Sequence, residues 1–285
     1  MRYKLKMLLA TSALALSSAY GAQEQAQAFK HQFNLGLEVE HYHYKEPETQ
    51  YIEDEGWEWM ESKAWMAGVN GSYRLTWQEK LFVQPEARIL WGKENYKTGD
   101  GDKYRLGIEF KVPNLIFEPR FIGGGHINVA ERWTLSPYFG IGYRLKIDDG
   151  EKVLYPDGTY DPYRKSNYVY VPLGTYVHYK ISDTWSVSAK GEYDYLIKGW
   201  QYSRGYKRNP VEYNQKSGYG LKGEVAISYA YSDQLSLSLA PYIHYWNIKK
   251  SNEVKVTDYF NHLNYMGEEP KNSTIESGLR LEITF

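Results

Sequence analysis

Histidine gives this chain its widest chemical scope, and three of the seven, His126, His178 and His244, occupy inward positions of segments read below as strands. An imidazole within hydrogen-bond reach of a serine hydroxyl makes a nucleophile, but none of the three sits in a recognisable catalytic motif. His41 and His43 are two apart, which puts them on one face of a strand, where a pair can chelate a cation. No third ligand accompanies them, so they read as rim histidines just above lipid. Acidic clusters occur at Glu46, Glu48, Glu53, Asp54, Glu55, Glu58 and Glu61, and again at Asp148, Asp149, Glu151, Asp157 and Asp161. Such segments gather divalent cations that bridge phosphates, but neither cluster has the spacing of a calcium loop. The default is a solvated acidic surface with divalent cations as a candidate partner. Arg204, Lys207, Arg208 and Lys216 can reach lipopolysaccharide phosphates directly. The absence of cysteine excludes disulfides and thiolate chemistry, and 34 basic against 35 acidic residues argue against a nucleic-acid partner. No catalytic, cofactor-binding or metal residues are assigned, and no cofactor is expected.

The elements that must hold these residues follow from periodicity. At the N-terminus, Arg2, Lys4 and Lys6 precede the apolar runs Met7–Ala10 and Ala13–Leu16, and Ala19-Tyr20-Gly21 fits a small-x-small cleavage site. That layout predicts a secretory signal peptide over 1–21, a short periplasmic segment over 22–32 and one domain over 33–285. In the last segment Ile275, Leu279, Leu281, Ile283 and Phe285 alternate with Glu276, Gly278, Arg280, Glu282 and Thr284. Strict alternation is a strand with one apolar and one polar face. The same alternation sets Leu221, Val225 and Ile227 against Lys222 and Glu224, and Trp185, Val187 and Tyr193 against Lys190 and Glu192.

Ten such segments are predicted, near 33–44, 62–75, 81–96, 114–128, 134–148, 168–181, 185–203, 218–231, 235–248 and 273–285. They are joined alternately by short connectors (Leu75–Lys80, Val129–Trp133, Ser182–Thr184, Ser232–Gln234) and long charged ones (Lys45–Glu61, Tyr96–Pro113, Asp149–Asn167, Arg204–Ser217, Lys249–Asn272). Short periplasmic turns, long extracellular loops and an even strand number define an antiparallel up-and-down transmembrane β-barrel of the bacterial outer membrane. Tyr104–Val112 also alternates. A single eleventh strand would put the termini on opposite sides, so it is read as a ribbon within the second long loop, with twelve strands as the alternative. Trp77, Trp133 and Trp185 are placed in the periplasmic aromatic belt, and Trp91, Tyr195, Trp200 and Trp246 in the extracellular one.

Several stretches resemble a largely uncharacterised family of Gram-negative outer-membrane β-barrels, some described only as porin-like or autotransporter-barrel-like. They are Trp133–Arg144 (WTLSPYFGIGYR), Ser166–Gly174, Glu192–Leu196, Gln215–Gly220, Tyr245–Ile248 and Glu269–Thr274. The resemblance spans roughly Gln84 to Phe285 and rests on strand and turn motifs, so it implies fold and location and transfers no catalytic residue. A ten-stranded barrel ending on an apolar-face phenylalanine also resembles the omptin proteases, whose acidic pair and His–Asp pair face each other across the mouth to activate a water. Asp100 and Asp102 in the second long loop could mimic the acidic pair. The opposing segment Arg204–Pro210 has neither histidine nor aspartate, so Asp100 and Asp102 read as turn residues.

The inner face is then predicted to carry Glu38, Glu40, Glu86, Glu118, Glu192, Asp194, Glu224 and Glu282 with Arg74, Arg88, Arg120, Arg144, Lys146, Lys190, Lys222 and Arg280. Both signs are equally represented, and paired charge fills a narrow lumen at less cost than isolated charge. The expectation is a charge-paired, largely filled barrel acting as a structural or surface-interaction protein through its extracellular loops. A narrow porin-like channel is the alternative, and an omptin-like hydrolase the third reading. Outer-membrane lipid, lipopolysaccharide and the barrel-assembly machinery are the expected partners, with Leu279, Leu281, Ile283 and Phe285 as the insertion signature.

Overall fold

Alternation becomes strands because one side of each segment meets lipid while the other meets a polar, packed interior. The computed structural model describes residues 29–52, 56–98, 111–153, 158, 160, 162–259 and 262–285. Ten long strands form the wall: β1 (Phe29–Ile52), β2 (Gly56–Trp77), β3 (Leu81–Thr98), β4 (Lys111–Gly125), β6 (Trp133–Asp149), β7 (Tyr163–Lys180), β8 (Trp185–Arg204), β10 (Gly218–Ser232), β11 (Leu235–Ile248) and β14 (Asn272–Thr284). Each pairs antiparallel with its neighbours, and β8 pairs with β10. The first and last strands close the barrel in the register Asn34↔Thr284, Leu37↔Leu281 and Tyr44↔Thr274. Phe33 and Phe285 seal that seam with two backbone hydrogen bonds of 2.8 and 2.9 Å. The ten-strand architecture is as expected, and β1 begins at Phe29, four residues before the predicted start. Four short strands accompany the wall. β5 (Ile127–Ala130) extends β4 beyond a break at His126, and β9 (Val211–Gln215) pairs with the far end of β8. β12 (Val254–Asp258) and β13 (Leu263–Gly267) form a separate hairpin in the last long connection.

The outer wall is exposed and apolar at Leu35, Leu37, Val39, Phe139, Ile141, Val225, Leu239 and Leu281, as a lipid-facing band requires. Trp77, Trp133 and Trp185 are exposed at the short-turn end, and Trp65 and Trp91 at the other. Trp246 departs from the predicted belt. It lies on the inward parity of β11 with Tyr242 and His244 and is 1% exposed. The lumen accepts large rings because small residues stand opposite them. A Cβ on Gly142 would lie 2.3 Å from the ring of its cross-strand partner Tyr170, and one on Gly174 would lie 2.4 Å from Oη of its partner Tyr138. Those two positions admit no side chain without displacing a ring. The predicted signal peptide 1–21, residues 22–28 of the predicted periplasmic segment 22–32, Asp100, Asp102, and the Tyr104–Phe110 part of the ribbon lie outside the described residues.

Candidate functional site

Three tiers of charge cross the lumen, each delivered by inward-pointing positions two residues apart on facing strands. In the tier nearest the short turns, Arg120 donates through Nε to Glu86 at 2.6 Å and through Nη1 to Glu192 at 2.5 Å, while the Tyr138 hydroxyl donates to Glu192 at 2.5 Å. Arg280 donates to Glu38 at 3.1 Å and to Glu224 at 2.8 Å. Arg74 donates through Nε to Gln84 at 2.6 Å, and its guanidinium lies over the Phe82 ring.

In the central tier, Arg88 reaches Glu118, Glu40 and Glu276 at 2.8, 3.1 and 2.5 Å. Arg144 binds Glu118 at 3.1 Å and also donates to Glu276. Hydroxyls complete the acceptors: Tyr170 donates to Glu118 at 2.5 Å and Tyr242 to Glu40 at 2.8 Å. His244 Nε2 lies 3.0 Å from Asp194 Oδ2, and both side chains are fully buried. In the outer tier, Lys146 binds Asp148 at 2.6 Å and Glu94 at 3.0 Å, with Asn114 donating to both acids. Pairing guanidinium, carboxylate and hydroxyl is the condition under which buried charge is tolerated, although Glu38 Oε1, Glu40 Oε1 and Asp194 Oδ1 find no hydrogen-bond partner among the described residues.

The predicted inward residues all take part in or border this network, and the structure adds three carboxylates to it. Glu94 and Glu276 have the same inward parity as Glu86 and Glu282, which was the available signal. Asp148, predicted in the acidic third loop, is 5% exposed and points inside. Equality of sign therefore gives way to an acidic excess, placed where cations contact several carboxylates at once: Glu276 meets Arg88 and Arg144, while Glu94 and Asp148 share Lys146. His126 is also more engaged than its sequence context indicates: Nδ1 lies 2.7 Å from Ser136 Oγ, and the ring stacks on Phe82. Among the described residues no carboxylate bonds its other nitrogen. His41 and His43 face outward, and His43 meets Glu61 at 3.0 Å. Among the described residues no group of three potential ligands is suited to a metal ion.

The filling is one-sided. At and outward of the central tier, Tyr42, Met66, Leu90, Ile116, Tyr170, Trp246 and Ile248 are all 1% exposed or less and pack as two clusters across the bore. On the short-turn side lies a polar vestibule of about 900 Å³. Its floor is the first ionic tier, its walls carry the serines of β8, β10 and β11, and it reaches the turns at Ser182–Thr184 and Ser232–Gln234.

An antiparallel barrel with an apolar outer band, aromatic girdles and a charged interior is an outer-membrane protein. The chain belongs to the outer membrane protein beta-barrel domain family, whose model matches residues 12–199. Among solved structures it is similar to the outer membrane protease OmpT from Escherichia coli, at 10% identity over 90% of this chain and 97% of that one, with a TM-score of 0.60. The translocator domain of the autotransporter NalP from Neisseria meningitidis matches at 10% identity over 96% and 97% of the two chains, with a TM-score of 0.41. The Ralstonia pickettii toluene transporter TbuX matches at 10% identity over 89% and 88%, with a TM-score of 0.37. The OmpT likeness is one of fold. No curated protein matches the chain.

Proposed function

We propose that this outer-membrane barrel is a non-conducting structural and surface-interaction protein, with its bore closed by ion pairs and aromatic packing and its working surface outside the cell. The observation that carries this reading is the buried cross-section of Arg88, Arg144, Glu276, Tyr170 and Trp246, each 7% exposed or less. A selective pore lined by like charge would instead keep one sign exposed to water. Conductance in planar bilayers tests it: a closed wild-type barrel supports the reading, and steady ohmic openings would replace it with a porin.

Two outer features support surface interaction. The β12–β13 hairpin exposes Tyr259, Leu263, Tyr265 and Met266, an apolar group beyond the lipid band of the kind that marks contact surfaces. It is tied to the rim by Arg208 and Asp258 at 3.4 Å and by the backbone bond from Asn209 to Thr257. On the outer wall, Lys63 and Lys93 stand beside Trp65 and Trp91, with Lys93 opposite Trp65 across the β2–β3 pair. Ammonium groups just above an aromatic girdle suit lipopolysaccharide phosphates.

A further inference from the structure

Among the described residues, two buried lysines at the vestibule floor have no hydrogen-bond acceptor. The Lys190 and Lys222 side chains are 7% and 8% exposed, yet both line the cavity. The closest carboxylate oxygens lie at 3.6 Å from Lys190 Nζ (Glu192) and at 3.7 and 3.8 Å from Lys222 Nζ (Glu192 and Glu118). Those separations retain Coulombic attraction but exceed a hydrogen bond. The reason is competition, because the nearby carboxylates are already bonded. Glu192 accepts from Arg120 and Tyr138, Glu118 from Arg88, Arg144 and Tyr170, Glu86 from Arg120 and Gln84, and Glu224 from Arg280. An ammonium has three donors, and buried donors without partners are costly unless water or a ligand supplies acceptors.

The register brings these donors together. Lys190 faces Glu224 and Lys222 faces Glu192 across the β8–β10 pair, so the two lysines are diagonal neighbours on one wall. Tyr176, opposite Lys190 on β7, lies 5.4 Å from both Lys190 Nζ and the Arg74 guanidinium. Arg74 uses only Nε, toward Gln84, among the described residues. Two cations, Lys190 and Arg74, thus flank one aromatic ring, with Lys222 diagonal to Lys190, at the end of a hydroxyl-walled cavity of about 900 Å³ that reaches the periplasmic turns. Cavities of this size hold small organic molecules.

We propose that the vestibule is a periplasm-facing binding site for a small hydroxylated oxyanion, a phosphate or carboxylate held by Lys190, Lys222 and Arg74 with its hydroxyls on the serine wall. Barrel labelled with carbon-13 in its lysines and held in detergent micelles reports this directly, with Lys190→Arg and Lys222→Arg assigning the two signals. Titration with glycerol 3-phosphate or with glycerate should shift both signals saturably, while the outer-wall Lys93 should stay unmoved. Glycerol alone should bind at least tenfold more weakly. The double variant Lys190→Met with Lys222→Met should weaken glycerol 3-phosphate binding at least tenfold. The wild-type titration decides the matter even where that variant does not fold. No saturable shift with either anion, a matching response at Lys93, or equal binding of glycerol would overturn the proposal.

Discussion

Arg88 Nη2 lies 2.5 Å from Glu276 Oε2, although β1 and β2 separate their strands around the wall. Arg144 reaches the same carboxylate from β6. One acid on the last strand therefore ties three separated parts of the barrel together across the bore. Such a cross-brace stiffens a thin cylinder and fills part of its bore at that level.

Arg88→Ala combined with Arg144→Ala leaves Glu276, Glu118 and Glu40 buried without their main partners. Removing one member of a buried pair costs about 3–5 kcal/mol. The double variant should lose at least that much in urea-induced unfolding from lipid vesicles. Retention of wild-type stability would show that the arginines do not brace the bore.

Trp246→Ala removes a ring that packs against Tyr168, Tyr170 and His244. A fully buried tryptophan costs about 3–5 kcal/mol on truncation. The same unfolding assay should show a much smaller loss for Trp91→Ala, because Trp91 faces outward and is 51% exposed. Equal losses would return Trp246 to a girdle role.

Val225→Arg places a charge on the lipid face and should cost about 2–4 kcal/mol near the midplane. Glu224→Ala should act inside instead, freeing Arg280 from one of its carboxylates. Heat-modifiable mobility of the folded barrel separates the two. An insertion-competent Val225→Arg beside a Glu224→Ala that never inserts would reverse the faces of β10.

Most of the wall was legible from period alone, because lipid outside and packing inside impose opposite chemistry on successive residues. Val225 and Glu224 are the simplest case. The same rule applied to Glu94, Glu276 and Trp246 gives their inward positions, but the proximity of Asp148 and Trp246 to long connectors pointed toward loop and belt. What period cannot show is which inward groups meet. The Arg88–Glu276 pair joins residues 188 apart in sequence, and it depends on barrel closure and shear rather than on either strand's composition. The His126–Ser136 pair follows from register, since Gly124↔Tyr138 and Ile127↔Leu135 flank it, and register is not carried by either segment's own period.

Outside the membrane, Glu269 contributes a pH dependence. Burial, and next the neighbouring Glu46, raise its pKa from 4.5 to about 8, against the opposing pull of Arg164. Tyr44 and Gln201 donate to its carboxyl group. The folded chain holds this proton more tightly than the unfolded chain. Its contribution is therefore complete below about pH 4.5 and is lost as pH rises through about 8. Hydrogen-exchange protection over residues 249–272, corrected for intrinsic rates, should fall between pH 5.5 and 8.5. Glu269→Gln should flatten that fall, and an equally pH-dependent variant would remove Glu269 as the cause.

The closed bore is tested most directly by single-barrel recording of the wild-type protein in a planar bilayer. The structure predicts no steady conductance above the bare membrane, because the charges of the central tier are paired and Tyr170 and Trp246 cover them. Arg88→Ala with Arg144→Ala should then admit current that favours cations, carried past the uncompensated carboxylates. Large, stable, ohmic openings from the wild-type barrel would contradict the account and make the chain a channel.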